Sequence, residues 1–219
     1  MLSLSEENYL KAVYHLSSGG NAEVSTNSIS EYIQTRAASV TDMIKKLAAK
    51  GLVDYEKYHG LKITKEGTLS ALQIIRRHRL WEVFMVNKLG MDWDEVHDIA
   101  EQLEHIKSDI LAERLDSFLA YPKFDPHGDP IPDKFGKMAT LEKIPLLSVK
   151  EGTDVLVIAV VNSEDNFLKY LNKIGIKIGV KVHVNEKFDY DGSMELRIDS
   201  SKTVQISGKT AKNILTTKE

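Results

Sequence analysis

Apolar residues recur along the first fifty positions at the three-and-four spacing of helices, interrupted by short polar runs. Leu4, Tyr9, Leu10, Val13, Tyr14 and Leu16 line one helix, which Ser3 or Ser5 can cap and which Ser17-Ser18-Gly19-Gly20 ends. Ser25 to Ile33 reads as a short second helix. Ala37 to Lys50 reads as a third, opened by Ser39 or Thr41 and stopped by Gly51. The stretches Leu52 to Glu56 and Leu61 to Thr64 then alternate with period two around Tyr58-His59-Gly60, which predicts a hairpin. Three helices followed by a two-stranded hairpin is the element order of a winged helix-turn-helix domain.

A long helix is predicted from Lys65 or Glu66 through Leu69, Leu72, Ile75, Leu80, Val83 and Phe84 to about Leu89, where Gly90 breaks it. Asp92 or Asp94 can cap a second helix to about Lys107, and Ser108 or Asp109 can start a third through Ile110, Leu115 and Leu119. The apolar content of these helices exceeds the needs of one small domain, so Trp81, Phe84, Met85 and Phe118 are candidates for a dimer seam. The five prolines all fall between Tyr121 and Leu146, which predicts an extended connection. Beyond it, 153–161, 180–184, 194–198 and 203–206 alternate as strands, with a helix from Ser163 to Lys173, and predict a small β-barrel. The expected fold is α+β and mostly α. It divides into a winged helix-turn-helix domain (1–70), a helical domain (71–121), a Pro-rich linker (122–147) and a small β-barrel domain (148–219).

Composition narrows the chemistry. The chain has 219 residues, 42% of them hydrophobic and 28% charged, and no cysteine. Disulfides, thiolate zinc sites and cysteine nucleophiles are therefore excluded, and any metal must be held by oxygen and nitrogen. The amino terminus is acidic and amphipathic, and no apolar run approaches the roughly 20 residues that span a bilayer. A cytoplasmic protein is expected. The net charge of −3 hides an uneven distribution. From Arg36 to Lys65 seven basic residues face three acidic, a local +4, whereas from Arg76 to Ala120 six face ten, a local −4. The first segment favours phosphate and the second a cation.

In a winged helix-turn-helix the third helix enters the major groove. Here Val40, Ile44 and Leu47 point inward while Ser39, Thr41, Asp42, Lys45 and Lys46 point outward. Short hydroxyls permit close approach to DNA and lysines neutralise phosphates. Arg36 ahead of that helix and His59 at the hairpin tip complete the candidate contacts.

The acidic segment carries His78 and Glu82 four apart, then His97, Glu101, Glu104 and His105, which share one face if they lie on a single helix. Val96, Ile99, Leu103 and Ile106 would form a neighbouring apolar stripe. Glu and His at such spacing most often mark a solvated face. Three His and three Glu on adjacent helices instead suit one or two divalent cations bound through N and O donors. A metal-dependent hydrolase could use the same cluster, but no general base stands beside it and the hairpin would have no role.

These stretches resemble the diphtheria-toxin-repressor family of iron- and manganese-dependent transcriptional regulators over nearly the whole chain. The resemblance rests on SEENYLKAVYHL, SVTDMIKKLAAKGLVDYEKYHGLKITKEG, RRHRLWEVF, VHDIAEQLEHIKSD and HGDPIP, with a C-terminal part like the SH3-like domain of longer members. It implies a non-enzymatic homodimer that binds palindromic double-stranded operator DNA when loaded with Mn²⁺ or Fe²⁺ at two sites per subunit and silences metal-uptake genes. No small-molecule substrate and no membrane are expected. By resemblance, His78, Glu82 and His97 form one site, completed from the SH3-like domain near Ser163, Glu164 and Asn166. Glu101, Glu104 and His105 form the other with Asn8 of the first helix. Glu101 stands where iron-responsive members have cysteine, and its harder oxygen favours manganese. Lys11 stands where manganese-responsive members place a further carboxylate.

Overall fold

The computed structural model describes residues 2–56, 60–199 and 202–218. Helix α1 (Leu4–Leu16) opens with a capping box: the Ser3 hydroxyl accepts from the Glu6 amide, and Glu6 Oε2 accepts from the Ser3 amide at 2.7 Å. Ser25 caps α2 (Thr26–Ile33). Helix α3 (Ala37–Ala49) starts after Arg36 without a side-chain cap, so Ser39 and Thr41 are helix residues rather than caps. The Thr41 hydroxyl instead donates to the Ala37 carbonyl within the helix. Val40, Ile44 and Leu47 are buried as their spacing predicts. Strands β1 (Val53–Glu56) and β2 (Gly60–Ile63) pair antiparallel from Val53↔Ile63 to Glu56↔Gly60, and Val24 bridges to Leu61. Lys57, Tyr58 and the DNA-contact candidate His59 lie outside the described residues.

Helix α4 (Lys65–Leu89) is the spine of the molecule. Its 25 residues span about 37 Å at 1.5 Å per residue. Thr64 caps its start, and Gly67 lets it cross the hairpin: a Cβ there would fall 2.0 Å from the Leu52 carbonyl oxygen. Ala71 packs into the winged-helix core, Leu80 and Val83 against Leu115 and Ile131, and Met85 against Val96 and Ala100. Burial removes Met85 from the predicted dimer seam, while Phe118 remains exposed.

Helix α5 (His97–Leu103) is shorter than expected at both ends. Trp93 lies in the core of the C-terminal domain and its indole donates to Asn172 Oδ1, while Asn172 donates to Asp94. The 92–96 segment is thereby spent on docking, and the aspartates do not cap. At the other end Arg77 Nε donates to the Glu104 carbonyl, which takes that group out of helix continuation. Of the predicted apolar stripe, Val96 is buried but Ile99 and Ile106 are exposed; Ala100 fills the inner face. Ser108 caps α6 (Asp109–Phe118), as expected.

The proline-rich connection is a folded loop rather than an extended linker. The Asp125 carboxylate accepts from the amides of His127 and Asp129, Phe124 bridges Pro130, and the Val160 amide donates to the His127 carbonyl. Those bonds wedge Asp125, His127 and Ile131 into the interior between the helices and the C-terminal sheet.

That sheet comprises β3 (Ile144–Pro145), β4 (Asp154–Val160), β5 (Lys181–Lys187), β6 (Met194–Ile198), β7 (Lys202–Ile206) and β8 (Ile214–Lys218) in the antiparallel order β3-β8-β4-β5-β6-β7. Helix α7 (Asp165–Ile174) follows β4, and α8 (Gly208–Lys212) precedes β8. The sequence pattern yields four of these strands and α7. It misses β3, which is two residues long, and β8, whose central Thr216 is fully buried despite being polar.

Candidate metal centre

Helical spacing on α4 puts His78 and Glu82 one turn apart, facing the end of α5. His78 sits between two carboxylates, with Nδ1 2.6 Å from Glu104 Oε2 and Nε2 3.0 Å from Glu82 Oε1. His97 Nδ1 lies 3.6 Å from Glu82 and its Nε2 3.9 Å from Glu101. From the folded loop, His127 Nδ1 reaches within 3.7 Å of Glu82 Oε2, while its Nε2 meets the Trp93 carbonyl at 2.9 Å. Three sets of side chains bring one donor atom each within 4.8 Å of one another: His78/Glu82/His97, His78/Glu101/Glu104 and Glu82/Asp125/His127.

The first set is the one expected from α4 and α5. In the second, His78 takes the place expected of His105, whose Nδ1 turns to Glu7 Oε2 at 2.6 Å, leaving Nε2 3.7 Å from Glu104. Lys11 Nζ donates to Glu101 at 2.5 Å and to both oxygens of Glu104 at 2.7 and 2.9 Å. The third set was not anticipated. Asp125 and His127 sit in the stretch whose prolines predict a linker, and the signal that marks them is the DPHGDP run, where an aspartate two before a histidine can close a tight turn. Glu164 and Asn166 are exposed and belong to none of these sets, although Glu164 and Ser163 line an open depression with His97.

Burial sharpens the electrostatics. Burial alone would push His78 and His127 down, but hydrogen bonds to Glu104 and Glu82 for the first, and to Glu82 for the second, outweigh it and hold both at about 9. Burial also opposes ionisation of Glu82 and Glu104. The imidazoles around Glu82, and His78 with Lys11 at Glu104, nevertheless hold both carboxyls below their usual range. Asp125 is pushed up to about 6 by burial and by the Glu82 charge. On the same side, burial and the Arg79 and Lys11 charges lower His15 to about 4.

The residues fit a divalent cation. Glu82 and Glu104 are deeply buried and held ionised by His78, His127 and Lys11, so a divalent ion could take over the charge that the imidazole protons supply. Asn8 Oδ1, on α1, is buried with no hydrogen-bond partner, as an amide oxygen awaiting an acid would be. The donors are carboxylate and amide oxygens and imidazole nitrogens, which suit Mn²⁺ or Fe²⁺.

Arg36, at the N-cap of α3, and Ser39, Asp42, Lys45 and Lys46 along it are exposed, and Thr41 is half-buried. Lys45 lies 3.9 Å from Asp42. Lys50, which caps α3 at its C-terminus, binds both oxygens of Glu6 at 2.7 and 2.8 Å.

Residues 1–61 match the iron-dependent repressor N-terminal DNA-binding domain, 64–133 the iron-dependent repressor metal-binding and dimerisation domain, and 144–218 the FeoA domain. An uncharacterised HTH-type transcriptional regulator of Methanocaldococcus jannaschii is 34% identical over 118 residues, 54% of this chain and 94% of that protein. The iron-dependent repressor IdeR of Mycobacterium leprae is 31% identical over 126 residues, 58% of this chain and 54% of its own, so the match spans about half that repressor's length. Among solved structures, a manganese-dependent transcriptional repressor in complex with manganese is 36% identical with a TM-score of 0.82, covering 98% of this chain and 100% of the other. The manganese regulator SloR is 35% identical with a TM-score of 0.70, covering 98% of each chain.

Proposed function

The chain belongs to the diphtheria-toxin-repressor family of metal-dependent transcriptional repressors, and from that premise we propose that it responds to Mn²⁺, with Fe²⁺ as the alternative. In this reading it binds a two-fold-related operator as a homodimer when metal-loaded, and silences genes for metal uptake. The observation that carries the reading is the continuous chain Glu82–His78–Glu104, which joins α4 to the end of α5 and meets α1 through Lys11 on Glu104. Two cation positions share it. One lies at His78, Glu82 and His97, with Asp125 and His127 on the far side of Glu82; the other lies at Glu101, Glu104, His105 and Asn8.

A bound divalent ion supplies positive charge that the buried carboxylates and neutral imidazoles can all face. The chain's residues do the rest. Glu104 and His105 end α5 against α1, Glu7 and Asn8 present α1 to them, and Glu6 carries the constraint to Lys50 at the base of α3. Two reading helices held at fixed spacing match an operator whose half-sites lie whole helical turns apart. Coupling between the metal and DNA sites is typically about 1–3 kcal/mol and acts equally in both directions. The absence of any thiolate and the presence of Glu101 support manganese, as does the resemblance to manganese-dependent repressors.

The test is selection of duplexes from a random pool by the full chain, anaerobically, with Mn²⁺, Fe²⁺ or chelator, followed by fluorescence anisotropy on the enriched sequence. The expected result is a palindromic duplex enriched only with metal and bound most tightly with Mn²⁺. Equal enrichment in chelator defeats the metal-dependent reading.

A further inference from the structure

Lys11 is an ammonium group placed where a repressor of this design would put metal. It projects from α1 three residues after Asn8, its side chain is only 14% exposed, and its Nζ spans Glu101 at 2.5 Å and both oxygens of the fully buried Glu104 at 2.7 and 2.9 Å. Few surface lysines are held this way; their flexible stems leave the charge in water. An ammonium has three donors and no acceptor, so three contacts to carboxylate oxygens use its whole capacity. The remaining interaction of Glu104 Oε2 is with His78.

We propose that the Lys11 ammonium is the resident cation of the Glu101/Glu104 position, taking the place of a second divalent ion, so that each subunit binds a single divalent ion on the Glu82 side. The inference rests on the metal-loaded reading given above and fixes its stoichiometry. Two positive charges cannot share the same pair of carboxylates a few ångströms apart, one of them the fully buried Glu104, without strong repulsion. A divalent ion therefore enters only where the ammonium is absent. The consequence is mechanical as well. The tie between α1 and α5 is permanent and made by the chain's own charge, and metal acts by completing the Glu82 side, where His78, His97 and the 125–127 loop converge.

The experiment counts ions. Full-length protein, wild type and the variants Lys11→Met, Lys11→Glu and Lys11→Arg, is dialysed to equilibrium against Mn²⁺, and bound metal is measured by elemental analysis and by the electron paramagnetic resonance signal of free Mn²⁺. Circular dichroism establishes which variants are folded. One Mn²⁺ per chain for wild type and Lys11→Arg, and two for whichever of Lys11→Met and Lys11→Glu is folded, support the proposal. Two per wild-type chain overturn it and leave the metal-dependent reading standing, because the ammonium would then have been displaced. One per chain in the folded neutral or acidic variant also overturns it. No bound Mn²⁺ in any form overturns both. The wild-type count needs no variant, so misfolding of the substituted chains does not shelter the proposal.

Discussion

His78 holds a proton that any arriving cation must displace. Its pKa of about 9 keeps the imidazole charged at neutral pH, whereas ligation requires the neutral form. Mn²⁺ binding at pH 7.5 is therefore expected to release about one proton per ion from this group. The apparent affinity should climb as pH rises from 6 and level off beyond about 9. Calorimetry in buffers of different ionisation enthalpy reads the proton directly; buffer-independent heats would remove His78 from the ligands. The same shift affects the ion-free fold. The folded pKa lies above the ordinary 6.5, so the stability His78 contributes is complete below 6.5 and lost as pH rises through about 9. Urea midpoints at those two pH values check it. Glu104→Ala should abolish Mn²⁺-stimulated operator binding while the fold survives at a cost of about 1–3 kcal/mol for the polar groups left unpaired; undiminished stimulation in an anisotropy assay counts against the centre. The His78/Glu82 pair is legible in the sequence because helical spacing dictates which side chains share a face, whereas the grouping of His97 with that pair comes only from the family resemblance. Asp125 and His127 are not, because a loop has no period and only the closed turn made by the Asp125 carboxylate brings them inward.

Helix α1 touches both the candidate metal centre and the base of α3. Glu7 takes His105 and Lys11 takes Glu101 and Glu104, while Glu6 takes Lys50 at the last turn of α3. Lys50 holds the Glu6 carboxyl down to about 2, so this link is intact above the ordinary 4.5 and is lost only as pH falls through about 2. Lys50→Met should leave the number and affinity of bound Mn²⁺ unchanged yet cut the Mn²⁺-induced gain in operator affinity about fivefold, the lower end of typical allosteric coupling. Equilibrium dialysis paired with anisotropy separates the two effects; a full gain in the variant would show that α1 does not transmit through Glu6. The 125–129 loop depends on Gly128, which has φ +85° and would place a Cβ 2.0 Å from the Ile158 carbonyl oxygen. Gly128→Ala is expected to push the loop off β4, withdraw His127 from Glu82 and weaken Mn²⁺ binding, and dialysis reads the loss. The order of elements is visible in the apolar pattern, but the length of α5 is not. Asp92 and Asp94 look like helix caps locally, and only the docking of Trp93 and Asn172 across domains diverts them. Local propensity yields there to a tertiary contact.

Over the whole molecule, charge and apolar surface divide the labour along α4. The exposed basic side chains of α3 and the acidic centre are joined through neighbouring residues of α1, Glu6 to Lys50 and Glu7 to His105, while Leu89, Ile110 and Phe118 are exposed apolar residues on α4 and α6. Ile110, 76% exposed on a helix otherwise packed through Leu115, is an unusual residue to leave in water unless a second copy covers it. No helix among the described residues is long and apolar enough to cross a membrane. A dimer doubles every DNA contact, and this gives the arrangement a quantitative signature in salt. Each phosphate neutralised contributes about 0.9 to the slope of log affinity against log salt concentration. Lys46 is exposed on α3, whereas Lys45 is partly engaged by Asp42 at 3.9 Å and Lys50 is held by Glu6, so Lys46 is the cleanest phosphate contact on the helix. If two copies of α3 lie in successive major grooves, Lys46→Ala removes two contacts and lowers the slope by about 1.8; a single reading helix would lower it by about half that. Anisotropy titrations of the Mn²⁺-loaded protein across a salt series measure the difference. A change near two contacts requires both the placement of α3 on DNA and the pairing of subunits, and an unchanged slope removes Lys46 from the interface whatever the oligomeric state.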